Sequence, residues 1–142
     1  MARPIDSGVI FLARIALAVL FLWGAVMKLL GYAGFMGYLH AKGVPFVPVA
    51  APIATAIELF GSIMLIVGFL VRPLGIAMAI YTVITAIVGH DFWNVVDASV
   101  QRDMVIHFWK NIGIAGGFLL LFVTGGGALS IDAARAPKRR GL

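Results

Sequence analysis

No cysteine occurs in the 142 residues, and only 12% of them are charged, with six acids against eleven lysines and arginines. The missing thiols exclude disulfide exchange, iron–sulfur ligation and thiolate metal sites, so any redox role has to use a bound cofactor. The scarcity of charge excludes an ordinary soluble domain, where roughly a quarter of residues are ionised. Serine is sparse, and neither Ser62 nor Ser99 has a histidine nearby in sequence to activate it. The glycine run at 125–127 has no lysine after it and no strand before it, which removes a phosphate-binding loop. A net charge of +5 invites a nucleic-acid reading, but four of the basic residues crowd into the tail at Arg135, Lys138, Arg139 and Arg140. Lipid headgroups are the expected partner, with no nucleic acid.

What is abundant is oil. Hydrophobic residues make up 62% of the chain and the mean hydropathy is +1.05. A hydrocarbon core needs about 20 apolar residues per helix, so the chain holds three or four spans and no separate catalytic domain. Four stretches qualify: Val9 to Leu30, Val49 to Leu70, Pro73 to Gly89 and Val105 to Val123. The expected architecture is all-α, a four-helix transmembrane bundle with antiparallel connections in a single domain over 1–134, followed by a basic tail over 135–142. Pro45 and Pro48 keep the first connection out of a helix interior, and Pro52 and Pro73 fall where helix starts tolerate them. The third connection, 90–103, carries three of the six acids, with Phe92 and Trp93 as interfacial aromatics. A cleaved leader is disfavoured for the first span, because Lys28 stands where small residues would be needed.

With four spans both termini share a side. That side holds Arg3, Arg72 and the tail cations against Lys42 and Arg102 opposite, so the termini are expected in the cytoplasm and the membrane is expected to be a bacterial inner membrane. Reporter fusions at Gly43 and at the C-terminus test this. A periplasm-dependent reporter should be active at Gly43 and silent at the C-terminus, and the reverse pattern would overturn the orientation.

A charge near the bilayer centre costs about 2.5–3.5 kcal/mol even on the mildest scale, so each one needs a reason. Arg14 and Lys28 lie toward opposite ends of the first span and are expected to snorkel. Glu58 is too short and too central for that, so it has to pair, protonate or line a hydrated cavity. Lys28, Glu58 and Lys110 fall at comparable heights in the outer half, which makes the two lysines its candidate counter-charges. His107, Lys110, Gly113 and Gly117 share one face of the fourth span, with Asn111 beside them. That face is expected to turn inward, and Gly61, Gly68, Gly113, Gly116 and Gly117 are expected to mark close helix contacts. The polar cluster so defined comprises Lys28, Glu58, His90, Trp93, His107, Trp109, Lys110 and Asn111, with Arg14 and Arg72 on the cytoplasmic side. A metal site at Glu58, His90, Asp91 and His107 lacks ligand spacing, so no metal is expected.

The strings AIELFGSIMLIVGFLVRPLG and HFWKNIGIAGGFLLLF resemble the second-span and fourth-span signatures of the DoxX family, and Arg14, Gly24 and Lys28 fall where that family's first span carries arginine, glycine and lysine. The resemblance runs from Arg14 to Asp132. It departs at Asp91, where members often have proline between the histidine and the Phe-Trp pair. The resemblance implies a four-helix membrane protein associated with respiratory redox chemistry, since the family takes its name from a membrane subunit of thiosulfate:quinone oxidoreductase. On that footing the cluster is expected to bind a quinone or similar amphiphile, and a redox partner protein has to supply electrons. Catalysis by the chain alone stays open. The competing expectation is a non-enzymatic assembly factor, receptor or lipid-binding module whose buried ion pairs fix helix register. A transport role would call for a homo-oligomer to complete a pathway.

Overall fold

The computed structural model describes residues 4–137, so Arg3, Lys138, Arg139 and Arg140 lie outside the described residues. Helices α1 (Pro4–Leu30), α3 (Val47–Val67), α4 (Val71–Gly89) and α5 (Ala98–Thr124) are long and apolar enough to cross a membrane. A short α2 (Tyr32–Ala41) follows α1, a 3-10 turn (Phe92–Asn94) precedes α5, and α6 (Ile131–Arg135) follows it. The described residues contain no strand.

The spans start earlier than hydropathy alone indicates. Pro48 sits in the first turn of α3, where a missing N–H is harmless. Pro52 lies inside α3 rather than at its start, and Pro73 is the third residue of α4, still among the N–H groups that have no helical partner. The first connection contains a helix that its prolines and glycines concealed. At ten residues, about 15 Å, α2 is too short to span. It packs Phe35, Met36 and Leu39 onto Val47 and Ala51 at the start of α3. Asp97 caps α5, accepting from the Ser99 hydroxyl at 2.6 Å and from the Val100 and Ser99 amides. Those bonds, the hydroxyl first, hold its exposed carboxyl below the usual range.

α1 packs along α3, and α4 packs along α5. Ala18, Phe21, Leu65, Met78, Ala115 and Phe118 join the two pairs in one core, with the Phe21 and Phe118 rings 5.4 Å apart. Gly75 lets α4 meet the α5 backbone: a β-carbon there would stand 2.8 Å from the Phe118 carbonyl oxygen and 2.9 Å from the Phe122 nitrogen. By contrast α3 and α4, though joined by a tight turn, make little mutual contact, and a gap opens between them farther along.

The end near the termini is closed by hydrogen bonds. Arg14 is completely buried and does not snorkel. Its guanidinium donates to the Leu65 and Ile66 carbonyls at 2.9 Å each and to those of Gly126 and Leu129 at 2.5 and 2.8 Å. One planar cation therefore satisfies both the frayed C-terminus of α3 and the loop after α5. Asp132 accepts from the Leu70 and Val71 amides at 2.8 Å and so caps α4, while Arg72 donates to the Phe122 carbonyl near the end of α5.

Candidate functional site

Glu58 stands near the middle of α3 and is 5% exposed. Its two carboxylate oxygens have separate partners. Lys28 Nζ from α1 donates to Oε2 at 2.6 Å, and the Tyr81 hydroxyl from α4 donates to Oε1 at 2.6 Å. Gly24, one turn before Lys28, makes room: a β-carbon there would approach Glu58 Oε2 to 2.9 Å. Lys28 also lies 5.3 Å from the centre of the Phe35 ring on α2. A single carboxylate thus ties α1, α3 and α4 together.

This triad lies in the wall of a cavity of about 400 Å³ in the gap between α3 and α4. Ile53 and Ile57 on α3 face Ile84 and Val88 on α4, and Phe35 and Leu39 of α2 contribute a further wall. Ile53 and Ile84 line the cavity and are yet 54% and 52% exposed, so it opens sideways toward the surface that lipid covers. His90 and Asn111 add polar groups to the lining. At the end opposite the termini, α2 is tied across to α4 by the Tyr38 hydroxyl on the Gly89 carbonyl, 3.3 Å, and by the Lys42–Asp91 ion pair, with Asn94 donating to the other Asp91 oxygen.

Four of the eight residues expected to form the cluster line this cavity: Lys28, Glu58, His90 and Asn111. Lys110 does not reach Glu58. It is exposed on α5, and among the described residues Lys28 supplies the countercharge. The Lys110 ammonium donates instead to His107 Nδ1 at 2.9 Å, and His107 stacks on His90 with ring centres 5.2 Å apart. The face of α5 that turns inward carries Ala115, Phe118 and Leu121, not His107, Lys110 and Gly113. No atom approaches a β-carbon placed at Gly113 or Gly116, so these two do not mark contacts within the bundle, whereas Gly117 meets Leu17 and Gly61 meets Met78. Gly68 ends α3 in the left-handed conformation, φ 71°. Trp93 and Trp109 do not wall the cavity. Both are more than half exposed and pack edge-on against Phe108.

One site residue escaped the sequence reading: Tyr81 sits in an apolar run and looked like one more hydrophobe. Gly24, marked by the resemblance alone, has its physical reason in the carboxylate that comes so close. No group of three His, Asp or Glu among the described residues is arranged to hold a metal ion. Glu58 and Asp91 are each held by other partners, and the two imidazoles lie face to face rather than converging.

Comparison with known proteins places the chain. It is 40% identical over 131 residues to inner membrane protein YphA of Escherichia coli (strain K12), an alignment covering 92% of this chain and 91% of that one. It is 38% identical over 132 residues to inner membrane protein YqjF of the same organism, covering 93% and 95%. No solved structure matches. These relatives assign the chain to a bacterial inner membrane. Residues 9–91, which run from α1 to the pair His90–Asp91 and include the whole Lys28–Glu58–Tyr81 triad, match the DoxX sequence model, and the chain belongs to the DoxX family.

Proposed function

We propose that the chain is a membrane-embedded binding subunit that takes an amphiphile sideways from the bilayer into the gap between α3 and α4, with a quinone as the ligand that best fits its chemistry. One observation carries this reading: an apolar cavity with lipid-facing residues in its lining and hydrogen-bonding groups at a few fixed points. A quinone tail matches the isoleucine and valine walls. Its ring carbonyls accept hydrogen bonds, and Lys28, Tyr81 and Asn111 are among the donors in the lining. Glu58 is the group able to take or give a proton as such a ring changes redox state. The chain holds no thiol to deliver electrons, so the redox role is that of a subunit beside a partner protein. The cavity then belongs to the outer half of the bilayer, with the termini in the cytoplasm, as the distribution of basic residues indicates.

A second reading, a non-enzymatic lipid-binding or assembly module, draws on one fact. Lys28, Glu58 and Tyr81 already satisfy one another, as a purely structural ion pair would. Thermal unfolding in detergent separates the two. A short-chain quinone analogue should raise the Tm of the wild type by several degrees, and the rise should shrink by more than half in Tyr81→Phe, which keeps the ring and removes only the donor. Equal stabilisation of both proteins, or of neither, would count against the quinone reading.

A further inference from the structure

The groups on the outer surface of α5 serve neither the core nor the cavity, yet they form a unit. Lys110 is exposed and, among the described residues, forms no ion pair with an acid; it donates to His107 Nδ1. His107 stacks on His90, whose own Nδ1 is buried without a hydrogen-bond partner. The nearby acid, Asp91, is engaged by Lys42 and Asn94. Farther out, Arg102 and Asp103 are adjacent, exposed and of opposite sign, so they cancel. What remains is one uncompensated cation with two imidazoles behind it and the exposed indoles of Trp93 and Trp109 on the same side of the bundle.

Depth says what this unit meets. Thr124 ends α5 beside the charged first turn of α4, and Lys110 stands fourteen residues before it, about 21 Å along a helix of 1.5 Å rise. A helical side chain leans toward the N-terminus, here away from the bilayer centre, so the four-carbon stem carries the ammonium on toward the edge of a hydrocarbon layer about 30 Å thick. Tryptophans gather at that same level. An ammonium at headgroup depth that meets no acid among the described residues, with the stacked His107 and His90 rings beside it, is a receptor for phosphate oxygens.

We propose that Lys110, His107 and His90 form a binding site for the phosphate of an anionic phospholipid at the end of α4 and α5 opposite the termini. This site is separate from the amphiphile cavity and does not depend on its occupant. The lipid headgroup, rather than soluble phosphate, is the source, because Lys110 projects from a membrane-spanning helix among exposed apolar residues such as Ile106 and Leu120. His90 borders both places, so a lipid held there stands beside the cavity mouth.

The neighbouring Trp109 supplies the readout. Purified protein in mixed micelles is titrated with brominated phosphatidylglycerol and, separately, brominated phosphatidylcholine, and quenching of tryptophan fluorescence gives the relative affinity. The wild type should prefer phosphatidylglycerol by about five-fold, as one cation at a membrane surface provides. The preference should fall to near unity in Lys110→Gln and survive in Lys110→Arg, read in a Trp23→Phe background so that only the exposed indoles of Trp93 and Trp109 beside the site report. Equal quenching by the two lipids in the wild type, or an undiminished preference in Lys110→Gln, would overturn the proposal. Loss of the preference in millimolar inorganic phosphate, at constant ionic strength, would assign the site to a soluble anion and overturn the lipid assignment. None of these outcomes bears on whether a quinone stabilises the protein, so the two readings stand or fall separately.

Discussion

Arg14→Ala is expected to be the most damaging single substitution in the chain. It removes a fully buried cation, takes the guanidinium from the carbonyls of Ile66, Gly126 and Leu129, and leaves that of Leu65 with the Gly68 amide alone. Hydrogen bonds from charged donors are worth about 1.5–3 kcal/mol each, and a buried carbonyl left unpaired costs about as much again, so a loss of at least about 4 kcal/mol is expected. In detergent this should appear as a fall in Tm of roughly 10 °C or more, at about 2–4 °C per kcal/mol. Arg14→Lys should recover little, because an ammonium is a point donor and cannot span carbonyls from two separate chain segments as a planar guanidinium does. A snorkelling arginine behaves differently: its removal would cost under about 1 kcal/mol, and lysine would replace it freely. Circular dichroism melts of the three proteins distinguish these cases.

The second large effect concerns Glu58. Glu58→Ala leaves the Lys28 ammonium and the Tyr81 hydroxyl without their common acceptor in a low-dielectric setting. Breaking one side of a buried pair costs about 3–5 kcal/mol. Lys28 keeps 23% of its side-chain surface exposed, so the lower end of that range applies. Adding Lys28→Met to the same background should restore most of the loss, since an apolar replacement of both partners is close to neutral. The double-mutant cycle therefore predicts a coupling of at least about 2 kcal/mol between positions 28 and 58. Additive losses would mean that the two residues act independently, whatever their separation.

How much of this was legible in the residues follows from what a membrane does to pattern. Depth could be read, because 1.5 Å of rise per residue and a slab of fixed thickness put Lys28 and Glu58 at the same height, and the two do meet. Azimuth could not. In water the apolar face of a helix points inward, whereas in lipid both faces are apolar and periodicity loses its meaning. Hence His107, Lys110 and Gly113, correctly grouped on one face, were turned toward the wrong surroundings. Arg14 failed for another reason. Its role depends on 125–130 folding back beneath α1 and α3, a long-range event that no local signal announces. Tyr81 was hidden because a phenol in an apolar run reads as bulk until a carboxylate is found opposite it.

The two ends of the bundle thus differ in physical terms. Near the termini Arg14, Arg72 and Asp132 bond backbone groups at the ends of α3, α4 and α5 and in the loop after α5. At the far end α3 and α4 part, and α2 is fastened across the gap through Tyr38 and Lys42. The end near the termini is closed by hydrogen bonds, and the other holds the cavity.

The account rests on the gap between α3 and α4 holding an amphiphile. The most direct test is organic extraction of protein purified in a mild detergent, followed by mass spectrometry, for the wild type and for Ala50→Phe. That substitution fills the cavity wall eight residues from Glu58 and leaves the triad untouched. The account predicts a near-stoichiometric amphiphile from the wild type, a quinone under the reading favoured above, and its loss from the filled variant at an unchanged fold. Equal amounts of the same molecule from both proteins, or none from the wild type, would contradict it.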